Sequence, residues 1–233
     1  MYRIIGIFEG EDGKQHYKLI KKEALNTSYT WNADYQNDVA WDASDLYNGL
    51  NGSYFLNNTT YSYMQNSTWT NKIATWDYTA TNTKTYESSG MNYYSSVVRQ
   101  TYLHEMNRST KTSTVGVWDT VSAKIGLMYV SDYQLSLGST ALDYTNSTSA
   151  HYQSMKTGWM HISNNDTGAP STEEWTMSRY GLGSYCYAWF VHSDGFIDYY
   201  HTRHTSSVRP VFYLESNVTI SGEGTTTNPY IIN

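Results

Sequence analysis

Apolar positions along the chain fall in short runs broken by turn-forming residues, the pattern of short strands and long loops. Tyr2 to Phe8 is one such run; it ends in the turn-rich stretch Glu9 to Gly13, and His16 to Ile20 resumes the pattern, so the two predict a hairpin. Leu46 and Leu50 stand four apart, with Asp42 or Ser44 able to cap, which predicts a short amphipathic helix starting near Asp42. A second helix is predicted over about Tyr93 to Met106, where Val97, Val98, Thr101, Tyr102 and Glu105 recur at helical spacing. Ala123 to Tyr133 reads as a buried strand leading into a turn, and Glu174 to Ser178 as another. Ser207 to Leu214 reads as a third, whose Pro210 lacks an N–H and belongs at an edge or bulge. A Gly-rich turn at Ser221 to Gly224 and a last short strand at Tyr230 to Ile232 close the chain. The predicted class is α+β: two short helices near the N-terminal half, small antiparallel sheets and long loops. Nothing resembles a linker, so residues 1–233 are expected to form one domain.

Composition narrows the function. A hydrophobic fraction of 39%, with 8 Trp and 24 Tyr, supports a sizeable core, while Asp, Glu, Lys and Arg make up only 15%, so the surface must be rich in neutral Ser, Thr, Asn and Tyr. Surfaces of that kind suit recognition, because Tyr supplies contact area at low entropic cost and Ser and Asn supply adaptable hydrogen bonds. A net charge of -6 without a basic stripe argues against nucleic acid, which needs clustered Lys and Arg. A single cysteine, Cys186, excludes an internal disulfide. No membrane span or secretory signal is present in the sequence, and Met1 abuts a strand directly, so a signal or anchor is expected upstream of this stretch.

The densest chemistry lies in Ser184 to His204, where Tyr185, Tyr187, Trp189, Phe190, His192, Phe196, Tyr199, Tyr200, His201 and His204 crowd together. Tyr and His carry a polar tip that wants water or a partner, so this mixture suits an exposed face better than a buried strand. If the segment turns at Ser193 to Gly195, a period of two sends Tyr185, Tyr187, Asp198 and Tyr200 outward while Ala188, Phe190, Val191 and Ile197 pack inward. The face expected to bind ligand comprises Tyr180, Tyr185, Cys186, Tyr187, His192, Asp194, Phe196, Asp198, Tyr199, Tyr200, His201, Arg203 and His204.

Several stretches carry a resemblance: YRIIGIF, KLIKKEAL, WDASDLYNGLNGSYF, KIGLMYVSDY, EEWTMS and the ending VRPVFYLESNVTISGEGTTTNPYII. Together the chain resembles bacterial surface domains related to the formylglycine-generating-enzyme branch of the C-type lectin fold, and within it the variable proteins of diversity-generating retroelements. That resemblance implies a scaffold with little regular structure and a variable region at about 180–204. It also implies display on a cell surface, outside the cell or on a phage particle. In such systems randomised adenines turn AAC codons into any codon ending in C, which never encodes Lys, Glu, Gln, Met or Trp. Between Ser184 and His204 only Trp189 breaks that rule. Trp175, Trp189, Val208, Arg209 and Pro210 are then framework, with Arg209 expected in a buried or half-buried hydrogen-bond network. The implied partner is a protein ligand or cell-surface receptor, and no cofactor is required.

Other chemistries were weighed on the same residues. A carbohydrate-binding adhesin would use Tyr and Trp as stacking platforms. His192, His201 and His204 with Asp194 or Asp198 can be drawn as a zinc or iron site, the signature of a metal- or oxygen-dependent enzyme of the same fold. The chain has no HxxxHxE motif, and formylglycine-generating chemistry needs two active-site cysteines where this chain has only Cys186. The acidic turn Glu9, Glu11 and Asp12 offers oxygen ligands to calcium, a weaker reading than a solvated turn. The expected function is therefore ligand binding without catalysis.

Overall fold

The structure, a computed structural model, describes residues 1–34, 39–82, 105, 117–136, 156–182, 185–195 and 197–233. Strands β1 (Tyr2–Glu9) and β2 (Gln15–Lys21) form the expected hairpin, with a register shift between Ile4 and Gly6. Gly13 takes the positive φ of 69° that its turn requires, which a side chain would resist. Strand β10 (Val211–Tyr213) returns from the far end of the chain to pair with β2, giving the sheet order β1-β2-β10. Pro210 precedes β10, where its missing N–H costs no ladder bond while its carbonyl accepts from Lys21 N–H at 2.9 Å.

The first predicted helix appears as a short 3-10 turn, Trp41–Ala43, followed by α1 (Asp45–Leu50). Ser44 caps α1, its Oγ accepting the Tyr47 N–H at 3.1 Å, and Leu46 and Leu50 are buried. A 3-10 segment (Thr59–Gln65) and α2 (Ser67–Thr70) follow, each opened by an Asn side chain that accepts a backbone N–H. The second predicted helix, Tyr93 to Met106, lies outside the described residues except for Glu105, which is helical and buried.

Strands β4 (Trp76–Asn82) and β5 (Val117–Ala123) form a separate hairpin. The strand expected over Ala123 to Tyr133 holds only in part. Gly126 bridges Val211, but Val130–Ser136 is a helix, α3. The apolar run cannot by itself distinguish strand from buried helix. Carboxylates decide it: Asp132 accepts the Tyr129 N–H at 2.8 Å, and the buried Glu105 accepts those of Val130 and Ser131, each at 3.0 Å. These are the donors that a helix start leaves without partners.

The third sheet is β6 (Glu174–Leu182), β7 (Tyr185–Val191) and β8 (Ile197–His201), in that order and antiparallel. Two-stranded pairs β3–β9 (Tyr29–Thr30 with Thr205–Ser206) and β11–β12 (Ile220–Ser221 with Ile231–Ile232) complete the set. Among the described residues the chain is mixed α/β, with few helices, small antiparallel sheets and no barrel.

Two apolar clusters hold these pieces. The larger gathers Trp31, Trp41, Tyr78, Trp175, Phe212 and Tyr213, and the smaller joins Ile20, Val211, Met128, Val130, Tyr133 and Met160. The β6-β7-β8 sheet lies between them: Ala188 and Phe190 belong to the larger cluster, Trp189, Val191 and Ile197 to the smaller. Burying one such side chain is worth roughly 1.5–3 kcal/mol, so β7 is fixed from both sides. The expected inward set, Ala188, Phe190, Val191 and Ile197, is buried, and of the expected outward set Tyr187 and Asp198 are half-buried and Tyr200 is exposed. The period of two breaks only along β7, where Trp189 and Val191, of the same parity as Tyr187, pack onto the smaller cluster because that part of the strand is covered on both faces.

Buried charge joins the sheets. Arg209 Nε and Nη2 donate to the two carboxylate oxygens of Glu174 at 2.8 and 2.7 Å, Nη2 also donates to the Met160 carbonyl, and Tyr133 Oη donates to Glu174 Oε2 at 2.5 Å. Lys18 meets Asp132 at 2.5 Å, with the rings of Phe8, Tyr129 and Tyr213 around its ammonium.

Candidate functional site

The β7–β8 hairpin is tied to the frame at both ends. At its base Thr202, fully buried, donates its N–H to the Cys186 carbonyl at 3.1 Å, and its own carbonyl accepts from Trp31 N–H and Asn32 N–H. At its tip Gly195 N–H donates to the His192 carbonyl at 2.7 Å, and Gly195 takes a φ of 84°, open to glycine and strained for other residues. Between these ends the register sets Tyr187 opposite His201, Trp189 opposite Tyr199 and Phe190 opposite Asp198.

Solvent-reaching side chains leave the hairpin on two sides. On one, Tyr187 stacks on His201 with centroids 4.4 Å apart and meets Tyr199 edge-on at 5.7 Å, while Tyr199 continues to Trp189 at 5.4 Å. All three of Tyr187, Tyr199 and His201 are half-buried, and Trp189 beneath them is 8% exposed. On the other side Tyr200, 49% exposed, packs edge-on against His204 at 4.8 Å and near Phe190. His192 and Asp194 sit at the tip, half-buried; Arg203 is exposed next to His204.

Glu173, outside the expected face, draws this second side together. His204 Nε2–H donates to Glu173 Oε2 at 2.9 Å, and His192 Nε2 lies 3.4 Å from Oε1. The residue is held by its backbone, its N–H donating to Ser171 Oγ and its carbonyl accepting from Ser207 N–H. Lys156, 3.6 Å from Asp194, and His161, whose Nε2–H donates to the His192 carbonyl at 3.2 Å, approach from a segment far off in sequence. Burial lowers the His161 imidazole from the ordinary histidine value, disfavouring its charged form beneath the tip. Sequence reasoning missed Glu173 because EEWTMS reads as a plain strand entry; a paired acid at that entry was the only available signal.

Of the expected face, Tyr187, His192, Asp194, Asp198, Tyr199, Tyr200, His201, Arg203 and His204 reach the surface at least in part. Cys186 is corrected: it is fully buried, on the same strand parity as Ala188 and Phe190, and its carbonyl is covered by Thr202. A thiol there is not open to ligand. Asp198 is turned partly to its own backbone, its Oδ1 accepting the Tyr199 N–H at 2.8 Å. Tyr180 and Tyr185 lie in strands β6 and β7, but their side chains lie outside the described residues, as does Phe196 altogether.

The acidic turn behaves differently from the calcium reading. Glu11 and Asp12 line a cleft of about 270 Å³ with Asp77, Glu215, His16 and Trp76, and Glu9 is not part of it. Asp12 accepts the Lys14 N–H at 3.0 Å and meets His16 Nε2 at 3.1 Å, contacts that lower its carboxyl from the ordinary value. Among the described residues no three His, Cys, Asp or Glu side chains gather as a metal-binding group, and no helix is long and apolar enough to cross a membrane. No protein-family model, curated protein or solved structure matches the chain.

Proposed function

We propose that this chain is a ligand-binding domain of the C-type lectin fold, in its formylglycine-generating-enzyme-like subtype, displayed on a cell or phage surface and binding a protein partner through the β7–β8 hairpin. One observation carries the reading. Strand β7 is buried on both faces, yet Tyr200, His192, His204, Asp194 and Arg203 stand outward from the hairpin on a base they do not build. Aromatic side chains with neighbouring Arg, His and Asp are the composition of interface hot spots, where a few residues carry most of the affinity. No step of this activity is chemical; recognition rests on shape and hydrogen-bond complementarity. The diversification reading goes further and belongs to the gene: it requires a neighbouring reverse transcriptase and a near-identical repeat differing at adenines.

The binding test is a displayed library that randomises Asp194, Tyr200, Arg203 and His204 and is selected against a defined protein such as lysozyme, with a glycan array in parallel. Recovery of folded clones specific for the protein target supports the reading. Glycan binding by the unmodified chain that is lost in Tyr199→Ala/Tyr200→Ala would replace it with the carbohydrate-binding alternative. Stoichiometric iron, copper or zinc held through the histidines would replace it with the enzyme.

A further inference from the structure

Two side chains of the proposed face, His192 and His204, meet one carboxylate that the face does not contain. Glu173 is fixed by backbone bonds on either side, and Trp175, buried behind it, lies against both Phe190 and His204. The ring nitrogens of His192 have distinct tasks. Nδ1 accepts the Asp194 N–H at 3.3 Å and lies at the same distance from Ser193 Oγ, so in the neutral ring the proton sits on Nε2, toward Glu173. The imidazole therefore links Glu173 to the hairpin turn.

We propose that Glu173 is the positioning residue of the binding face, holding His192 and His204 in one arrangement, and that through His192 the shape of the 192–195 turn responds to acid.

The atoms give the direction. A proton added to His192 goes to Nδ1, which then faces the Asp194 N–H as a second donor. That amide loses its acceptor, and the new Nδ1–H has the Asp194 carboxylate as its nearest anionic partner, 3.8 Å away. The imidazolium that results is held at Nε2 by Glu173. Among the described residues the other charged or titratable groups around the unit are Lys156 against Asp194, His161 beneath the His192 carbonyl, His204 and Tyr200 on the same side of the hairpin, and Asp198 and Arg203 along the same stretch. Burial of the His161 imidazole, whose Nδ1 has no hydrogen-bond partner among the described residues, opposes its taking a second proton. That the change alters affinity rests on the binding function proposed above; the change itself does not.

The test uses the ligand-free chain. Nitrogen-15 NMR of the histidine rings and of the Asp194 and Gly195 amides is followed from pH 8 to pH 5 in the wild type, Glu173→Gln and His204→Gln. The wild type is expected to show His192 as the Nε2–H tautomer at pH 8 and to move both amides on acidification. His204→Gln, which leaves the His192 link in place, keeps that movement. Glu173→Gln, which removes the counter-charge without removing volume, reduces it. A His192 ring found as the Nδ1–H tautomer at pH 8, or amide movement identical in wild type and Glu173→Gln, overturns the proposal. A positive NMR result with no protein binders in the library selection would refute the binding function and leave this device standing.

Discussion

Single residues divide into those that hold the molecule and those that ride on it. Glu105 belongs to the first kind. Burial among the starting N–H groups of α3 pushes its carboxyl up to about 7, against an ordinary value of 4.5 in the unfolded chain. Between those values the folded chain binds more protons, so the stability this group contributes is present below about pH 4.5 and is lost as pH rises through about 7. Glu105→Gln mimics the protonated form. Urea unfolding at pH 4 and pH 8 is expected to show the wild type losing on the order of 3 kcal/mol more than Glu105→Gln across that range. Equal losses would place the proton elsewhere. Tyr200 belongs to the second kind. Tyr200→Ala should change stability by less than about 0.5 kcal/mol yet weaken a selected protein ligand by about tenfold or more. At this scale the sequence was informative where chemistry is unusual: Arg209 was expected in a buried or half-buried network and is found buried and bonded to Glu174. It misled at Cys186, since nothing local tells which parity of a strand covered on both sides reaches water.

Elements follow from their neighbours as much as from their own pattern. The N-terminal hairpin was legible because two apolar runs flank a glycine-bearing turn, and α1 because Ser44 and two leucines mark it. The helix α3 was not, because its start is fixed by Glu105 and by Asp132 paired with Lys18, a partner more than a hundred residues away that no window contains. The β7–β8 hairpin was legible as a turn and as aromatic strands, but the cluster on each face of β7 was not. Its support is the buried link from β6 to the approach of β10. Arg209→Met leaves the Glu174 carboxylate buried without its cation, and should cost about 3–5 kcal/mol in urea unfolding. A loss under about 1 kcal/mol would mean that the ion pair is dispensable to the frame. At the tip, Gly195→Val places a branched side chain at a φ of 84° and is expected to destabilise by at least about 1 kcal/mol, whereas a neutral result would show the turn free to choose another conformation.

At the scale of the whole molecule, strand β7 sits between two apolar clusters beside β6, whose Glu174 is bonded to the buried Arg209, and the hairpin it forms with β8 carries outward side chains that belong to neither cluster. That arrangement lets contacts change while the chain stays folded, since substitutions away from buried or bonded sites seldom shift stability by more than about 0.5 kcal/mol. The overall class was readable from short apolar runs and turn residues. The separation of frame from face was readable only in outline, because Glu173, Thr202 and His161 reach the hairpin from both inside and outside the dense aromatic stretch. The most direct measurement is thermal unfolding of the quadruple variant Asp194→Ser/Tyr200→Ser/Arg203→Ser/His204→Ser beside the wild type. Four small surface terms leave a cooperative transition within about 10 °C of the wild type. Loss of cooperative unfolding would show that these side chains are part of what holds the molecule together, and would contradict a face that can be exchanged.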